Sequence, residues 1–116
     1  MQYLLLIYED EKIWANADFS SPEFAAVMSQ YQAFGKEYAG AIQGGNALQP
    51  TGTAKTVRVR DGKTLVSDGP FAETKEQLGG YYLVEAKSEA EAAAMAAKIP
   101  GARSGSVEVR PIQKFS

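Results

Sequence analysis

The chain has 116 residues with a formal net charge of −2, 45% hydrophobic and 22% charged residues, and neither cysteine nor histidine. This length and composition predict one globular domain over residues 1–116 with one core. The missing residue types exclude disulfides, thiol nucleophiles, imidazole bases and Cys/His metal sites, and the absence of a basic stripe argues against direct binding of nucleic acid.

The amino-terminal residues predict a strand followed by a loop. Residues 3–8 form an unbroken apolar run, which is typical of a strand buried on both faces. The run is too short for a signal peptide or a membrane span, and no basic segment precedes it, so we expect a cytoplasmic protein without membrane contact. Residues 9–20 predict a loop that Trp14 and Phe19 hold in place.

A long helix and a short strand are predicted next. Ser21 is a typical N-cap and Pro22 a typical first helical residue. Apolar residues then recur at three- and four-residue steps as far as Ile42, which indicates an amphipathic helix. We expect this helix to end at Gly44-Gly45 and residues 46–49 to form a strand.

The clearest local signal predicts a β-hairpin. Residues 56–60 and 63–67 are separated by Asp61-Gly62, a pair that tolerates the positive φ angles of a type I′ turn. Pairing about this turn sets Val57 opposite Val66 and Val59 opposite Thr64. Arg58 and Leu65 then share the other face.

The remaining residues predict strand, helix and strand. After the Asp-Gly-Pro-Phe break at 68–71 and a polar excursion at 72–78, Gly79-Gly80 leads into a strand at 81–85. A capping box from Ser88 to Glu91 opens an alanine-rich helix through Ile99. Alternation around Val107 and Val109 predicts an edge strand.

This element order predicts an α+β fold of ferredoxin-like type. It is a four-stranded antiparallel sheet with two helices on one face and an inserted β-hairpin. The strands at 3–8 and 81–85 would be central and are apolar on both sides, while helices cover only one face. We therefore expect a homodimer through the open sheet face, because a large exposed apolar face is unstable in water.

Several specific strings resemble the YCII-related family, in the branch named for its DGPF motif. The longest is residues 68–82, joined by Leu48-Gln49-Pro50 and residues 105–111. The resemblance implies a dimeric α+β barrel and relatives in which the domain is attached to sigma factors, but little about activity. One branch carries a His–Asp pair proposed as catalytic; without histidine, only Asp68 can stand for the acidic member.

Asp68 is the first candidate for chemistry. If Phe71 and the tyrosines shield it, its carboxylate could act as a general acid or base. Alternatively, Asp68 accepts hydrogen bonds from its own turn.

Glu73 and Lys75 follow in a loop that could form a lid or bind an anion, or could be merely solvated.

Three further residues are candidates for substrate binding. Arg58 would pair with Asp68 or hold a substrate carboxylate if it faces the barrel, and is a surface charge otherwise. Tyr8 and Tyr81 would line a pocket, or belong to the core or dimer interface. No dinucleotide or phosphate-loop pattern is present, so we expect no cofactor, and no metal site is predicted.

Three functions therefore stay open from the sequence. The first is a small-molecule enzyme that uses Asp68 for proton transfer. The second is a non-catalytic small-molecule-binding or regulatory module linked to sigma-factor-type transcription control. The third is an interaction dimer without a ligand.

Overall fold

Two separate sheets organise the computed structural model, which describes residues 1–115. The strands are β1 (Gln2–Glu9), β2 (Ile42–Ala47), β3 (Lys55–Arg60), β4 (Lys63–Asp68), β5 (Gln77–Glu85) and β6 (Ser106–Pro111). The helices are α1 (Lys12–Ala15), α2 (Pro22–Glu37), α3 (Glu89–Ala97) and α4 (Gly101–Ser104), with a 3-10 turn at Thr51–Thr53. In the described part of the chain, no helix has the length and apolar content needed to cross a membrane.

The main sheet has the strand order β2-β5-β1-β6, and all its neighbours are antiparallel. β3 and β4 form a two-stranded sheet of their own. The predicted α+β class, the four-stranded antiparallel sheet and the central position of β1 and β5 are confirmed.

The hydrophobic core lies on one face of the main sheet. Alternate residues of β1 are buried there, and Val84 of β5 joins them. Phe34 of α2, together with α3 and the residues just after it, packs against them; the core consists of Tyr3, Leu5, Ile7, Phe34, Val84, Ala86, Ala92, Met95, Ala96 and Ile99. Burial of each large apolar side chain stabilises the fold by about 1.5–3 kcal/mol. In the single chain the even-numbered residues of β1 are half-buried, so one face of β1 belongs to this core, and the prediction that the other face is also buried stays a prediction.

Both predicted helix starts are confirmed. The hydroxyl oxygens of Ser21 and Ser88 accept hydrogen bonds from the amides of Phe24 and Glu91, each at 3.1 Å. These bonds satisfy amides that the first helical turn leaves without partners.

The predicted end of the first long helix was wrong. α2 ends at Glu37, and the residues expected to finish it, Ile42 and Gly44-Gly45, lie in β2. β2 approaches β5 so closely that a Cβ on Gly45 would lie 2.7 Å from the carbonyl oxygen of Tyr81. Glycine is therefore needed for strand pairing here and is not a helix terminator.

Two smaller expectations also change. The predicted loop at 9–20 contains the short helix α1, and Trp14 and Phe19 hold it by packing edge-on against Phe24. β5 begins at Gln77, before the predicted start, so that Gly79-Gly80 lies inside the strand. Its pairing with β1 shifts register there, which is a β-bulge rather than a kink before the strand.

The hairpin Lys55–Asp68, called the β3–β4 arm below, has the predicted register. Val57 pairs with Val66, Val59 with Thr64 and Arg58 with Leu65, and the turn residues have positive φ angles. The two strands pack mainly on each other, and Val66 is 62% exposed. The radius of gyration is 16.3 Å, against about 13 Å for a compact chain of this length. The arm therefore projects from the main sheet.

Candidate functional site

Asp68 lies at the base of the β3–β4 arm, at the end away from the Asp61-Gly62 turn. It pairs in register with Lys55, and the two side chains form an ion pair in which the Asp68 side chain is 86% exposed. Phe71 is 79% exposed and does not shield it. Arg58 is exposed in the middle of the arm, and the alternation of the strand puts it on the opposite face from Asp68. Within one chain these two residues do not pair.

Glu73 and Lys75 lie in the loop between β4 and β5. Both are exposed, and neither takes part in an ion pair within residues 1–115. The neighbouring Glu76 does tie the loop to the sheet, because Oε1 of Glu76 accepts a hydrogen bond of 2.9 Å from Ser106. In a single chain, the loop therefore leaves the side chains of Glu73 and Lys75 in solvent.

Tyr8 and Tyr81 share the face of the main sheet that the helices do not cover, called the open face below. Cross-strand pairs align on this face as Leu4 with Leu83, Leu6 with Tyr81, and Tyr8 with Leu78. All six side chains are half-buried. The Tyr81 hydroxyl accepts a hydrogen bond of 2.9 Å from the side-chain amide of Asn46.

Polar side chains flank this apolar band on both edges. On β6 the residues opposite Leu4, Leu6 and Tyr8 are Arg110, Glu108 and Ser106. On β2, Asn46 lies opposite Tyr81. The open face thus has an apolar centre with two phenol hydroxyls and a polar rim, which is the composition of a binding surface.

A second feature, a cavity beside Glu9, lies on the helix side of the sheet. Glu9 ends β1, and it is the one buried charged or polar residue within residues 1–115, with 9% exposure. Its Oε2 accepts a hydrogen bond of 2.8 Å from Ser104 of α4. The cavity has a volume of about 340 Å³ and apolar walls that include Ile13, Trp14 and Val27.

Tyr31 of α2 stands next to Glu9 in this cavity. Burial raises the pKa of Tyr31 to about 12, and the negative charge of Glu9 adds to the shift. A Cβ on Gly101 would lie 3.0 Å from Oε1 of Glu9 and 3.2 Å from the Tyr31 hydroxyl. The two oxygens therefore converge on one point, and the phenol there keeps its proton at neutral pH.

Comparison with known proteins identifies the family. The family model described as the YCII-related domain matches residues 1–116. The chain belongs to the YCII-related domain family. An uncharacterized protein of Rhizobium meliloti (strain 1021) is 41% identical over 119 residues, which cover 99% of this chain and 94% of that protein. The resemblance drawn from the DGPF region is thus confirmed, and no activity comes with it.

In this YCII-related domain, the residue that sequence reasoning missed is Glu9. Its signal was present in the alternation of Tyr3, Leu5 and Ile7, which continues to Glu9 and places it on the helix face. We interpreted Glu9 as the charged end of an apolar run and the start of a loop. Tyr31 was predicted only as part of the apolar face of the helix.

Proposed function

We propose that this YCII-related domain works as a homodimer that binds a small molecule between two facing sheets. Each copy would form one half of a ferredoxin-like dimeric α+β barrel. The observation that carries the proposal is the open face, an apolar band of six side chains on the two central strands. The strand order β2-β5-β1-β6, with α2 and α3 packed on the other face, fits this arrangement.

The size of the surface supports a dimer that uses both the open face and the β3–β4 arm. Four strands of six to nine residues, spaced by about 4.8 Å, offer a projected area of roughly 450 Å². A standard stable interface needs about 800 Å² from each partner. The arm adds roughly 200 Å² of projected area, so a dimer that uses both surfaces has a clearly larger interface than one that uses the open face alone.

The arm itself supports the proposal. Val57, Val59 and Val66 share one of its faces and are 58%, 60% and 62% exposed. An isolated two-stranded hairpin is at best marginally stable in water. Packing of this valine face on a second copy would remove the apolar surface and hold the arm in place.

We favour binding over catalysis because of the surroundings of Asp68. Its carboxylate forms an ion pair with Lys55, and this pairing accounts for the side chain without a catalytic role. Tyr8 and Tyr81 offer hydroxyls between leucines, which suits an apolar ligand with one or two polar groups. The link to sigma-factor-type transcription control stays a prediction.

The assembly is tested by placing a charge on each side of the sheet. Leu6→Glu puts a carboxylate in the centre of the open face, while Met28→Glu puts one on the outer side of α2, where Met28 is 39% exposed. By light scattering at micromolar concentration, we expect the parent and Met28→Glu to have twice the 12.5 kDa chain mass. Leu6→Glu should have the single-chain mass. Equal masses for the two variants would contradict the proposal.

The binding role is tested by a thermal-shift screen of the parent protein with a metabolite library. A ligand held between the sheets should raise the melting temperature of the parent, and Tyr81→Phe and Tyr8→Phe should weaken the effect. Ligands whose effect survives in both variants and in Leu6→Glu would bind elsewhere, and the proposed site would be wrong.

A further inference from the structure

We infer that the cavity beside Glu9 is a binding site for a small organic ammonium ion. It lies on the helix side of the sheet, because Glu9 shares its face with the buried residues Tyr3, Leu5 and Ile7. Dimerisation through the open face would leave it accessible. The inference therefore does not depend on the proposed function.

The carboxylate of Glu9 has an unused acceptor directed at the cavity. Oε2 is bonded to Ser104, but Oε1 has no hydrogen-bond partner within the described residues. Within residues 1–115, every fully enclosed side-chain oxygen or nitrogen has a hydrogen-bond partner, so Oε1 is not fully enclosed. Oε1 is therefore reached from the cavity, which Glu9 lines.

The Glu9 carboxylate is 9% exposed and has one hydrogen-bond donor but no countercharge, which a cationic ligand at Oε1 would supply. Among residues 1–115, neither of the two ion pairs involves Glu9. Arg103 also lines the cavity, but its guanidinium donates a hydrogen bond of 2.9 Å to Gln30. The acidic pair Asp10 and Glu11, next in sequence, adds to the negative potential.

The walls select an ammonium ion with an apolar body. Trp14 and Tyr31 supply aromatic faces that attract cations, and Ile13, Val27 and Pro100 complete an apolar lining. The volume of about 340 Å³ is at the small end of the range for ligand sites, roughly 300–1,000 Å³. The pattern suits a primary amine on a ring or a short chain, with the ammonium at Oε1 of Glu9.

The chain has one tryptophan, so the indole N–H signal of Trp14 in an NMR spectrum reports directly on this cavity. We would titrate the parent protein with benzylamine, which is an ammonium ion at neutral pH, and with benzyl alcohol and benzoate as neutral and anionic matches. We expect saturable shifts with benzylamine, and binding of both matches at least about tenfold weaker, because hydrogen bonds to charged groups are the stronger ones.

Two variants complete the test. Glu9→Gln should weaken benzylamine binding at least about tenfold, and Trp14→Leu, at a half-buried position, should weaken it several-fold when followed at the backbone amides of α4. Benzyl alcohol binding as tightly as benzylamine, tighter binding of benzoate, unchanged affinity in Glu9→Gln, or no saturable shift would each overturn the inference. If Glu9→Gln does not fold, the comparison of the three probes on the parent still decides.

Discussion

Removal of the Ser104 hydroxyl tests how Glu9 is held. Ser104→Ala deletes the 2.8 Å hydrogen bond to a carboxylate that is 9% exposed. Hydrogen bonds to charged groups contribute about 1.5–3 kcal/mol, and the carboxylate would lose its one protein donor. We therefore expect the free energy of unfolding to fall by about 1.5–3 kcal/mol and the melting temperature by roughly 5–12 °C.

The matched control is Ser29→Ala, at an exposed position in α2. Both substitutions replace serine by alanine within a helix, so the difference between them removes most of the change in helix propensity. Urea unfolding at equal protein concentration would give both free energies. In a double-mutant cycle with Glu9→Gln, we expect a coupling of about 1 kcal/mol, because a neutral acceptor gains less from the hydroxyl.

A difference of less than about 0.5 kcal/mol between Ser104→Ala and Ser29→Ala would refute this reasoning. It would mean that water replaces the hydroxyl at no cost, and hence that the end of β1 is open to solvent. The description of Glu9 as a buried and nearly unpartnered charge would then be wrong.

Three other outcomes follow from the geometry. Gly105→Ala should lower the free energy of unfolding by more than about 2 kcal/mol in urea, because the new Cβ would lie 2.0 Å from the carbonyl oxygen of Tyr8. The control Gly52→Ala places its Cβ in open space and should not destabilise the fold in this way. Burial raises the pKa of Tyr31 to about 12, so this phenol ionises at a lower pH in the unfolded chain than in the folded one. The free energy of unfolding should therefore fall as the pH rises from about 10 to 12, and it should fall less in Tyr31→Phe. Equal pH slopes in the parent and in Tyr31→Phe would contradict the burial of Tyr31. Asp68→Asn should change the melting temperature by less than about 2 °C, because the pair with Lys55 is exposed; a larger loss would assign Asp68 a structural role.

The parts of the fold that could be predicted are those with local causes. The Asp61-Gly62 turn sets the register of the β3–β4 arm by itself, and the Ser21 and Ser88 caps need only the next three residues. The apolar runs of β1 and β5 were sufficient to identify the central strands.

The parts that could not be predicted depend on distant contacts. Gly44-Gly45 looks like a helix end in sequence, and only the close approach of β5, about forty residues later, makes it a strand. Glu9 is buried by α4, whose Ser104 lies 95 residues away. Under the proposed dimer, the surroundings of Asp68 would depend on the surface of the second copy on which the arm packs, and no local pattern in the sequence describes that surface.

The central claim is that two copies meet through the open face, and small-angle scattering of the parent protein at micromolar concentration tests it most directly. We predict a forward-scattering mass of twice 12.5 kDa and a radius of gyration above the 16.3 Å of one chain. A mass of 12.5 kDa with a radius near 16.3 Å would show a monomer with an uncovered apolar sheet, and would contradict the account.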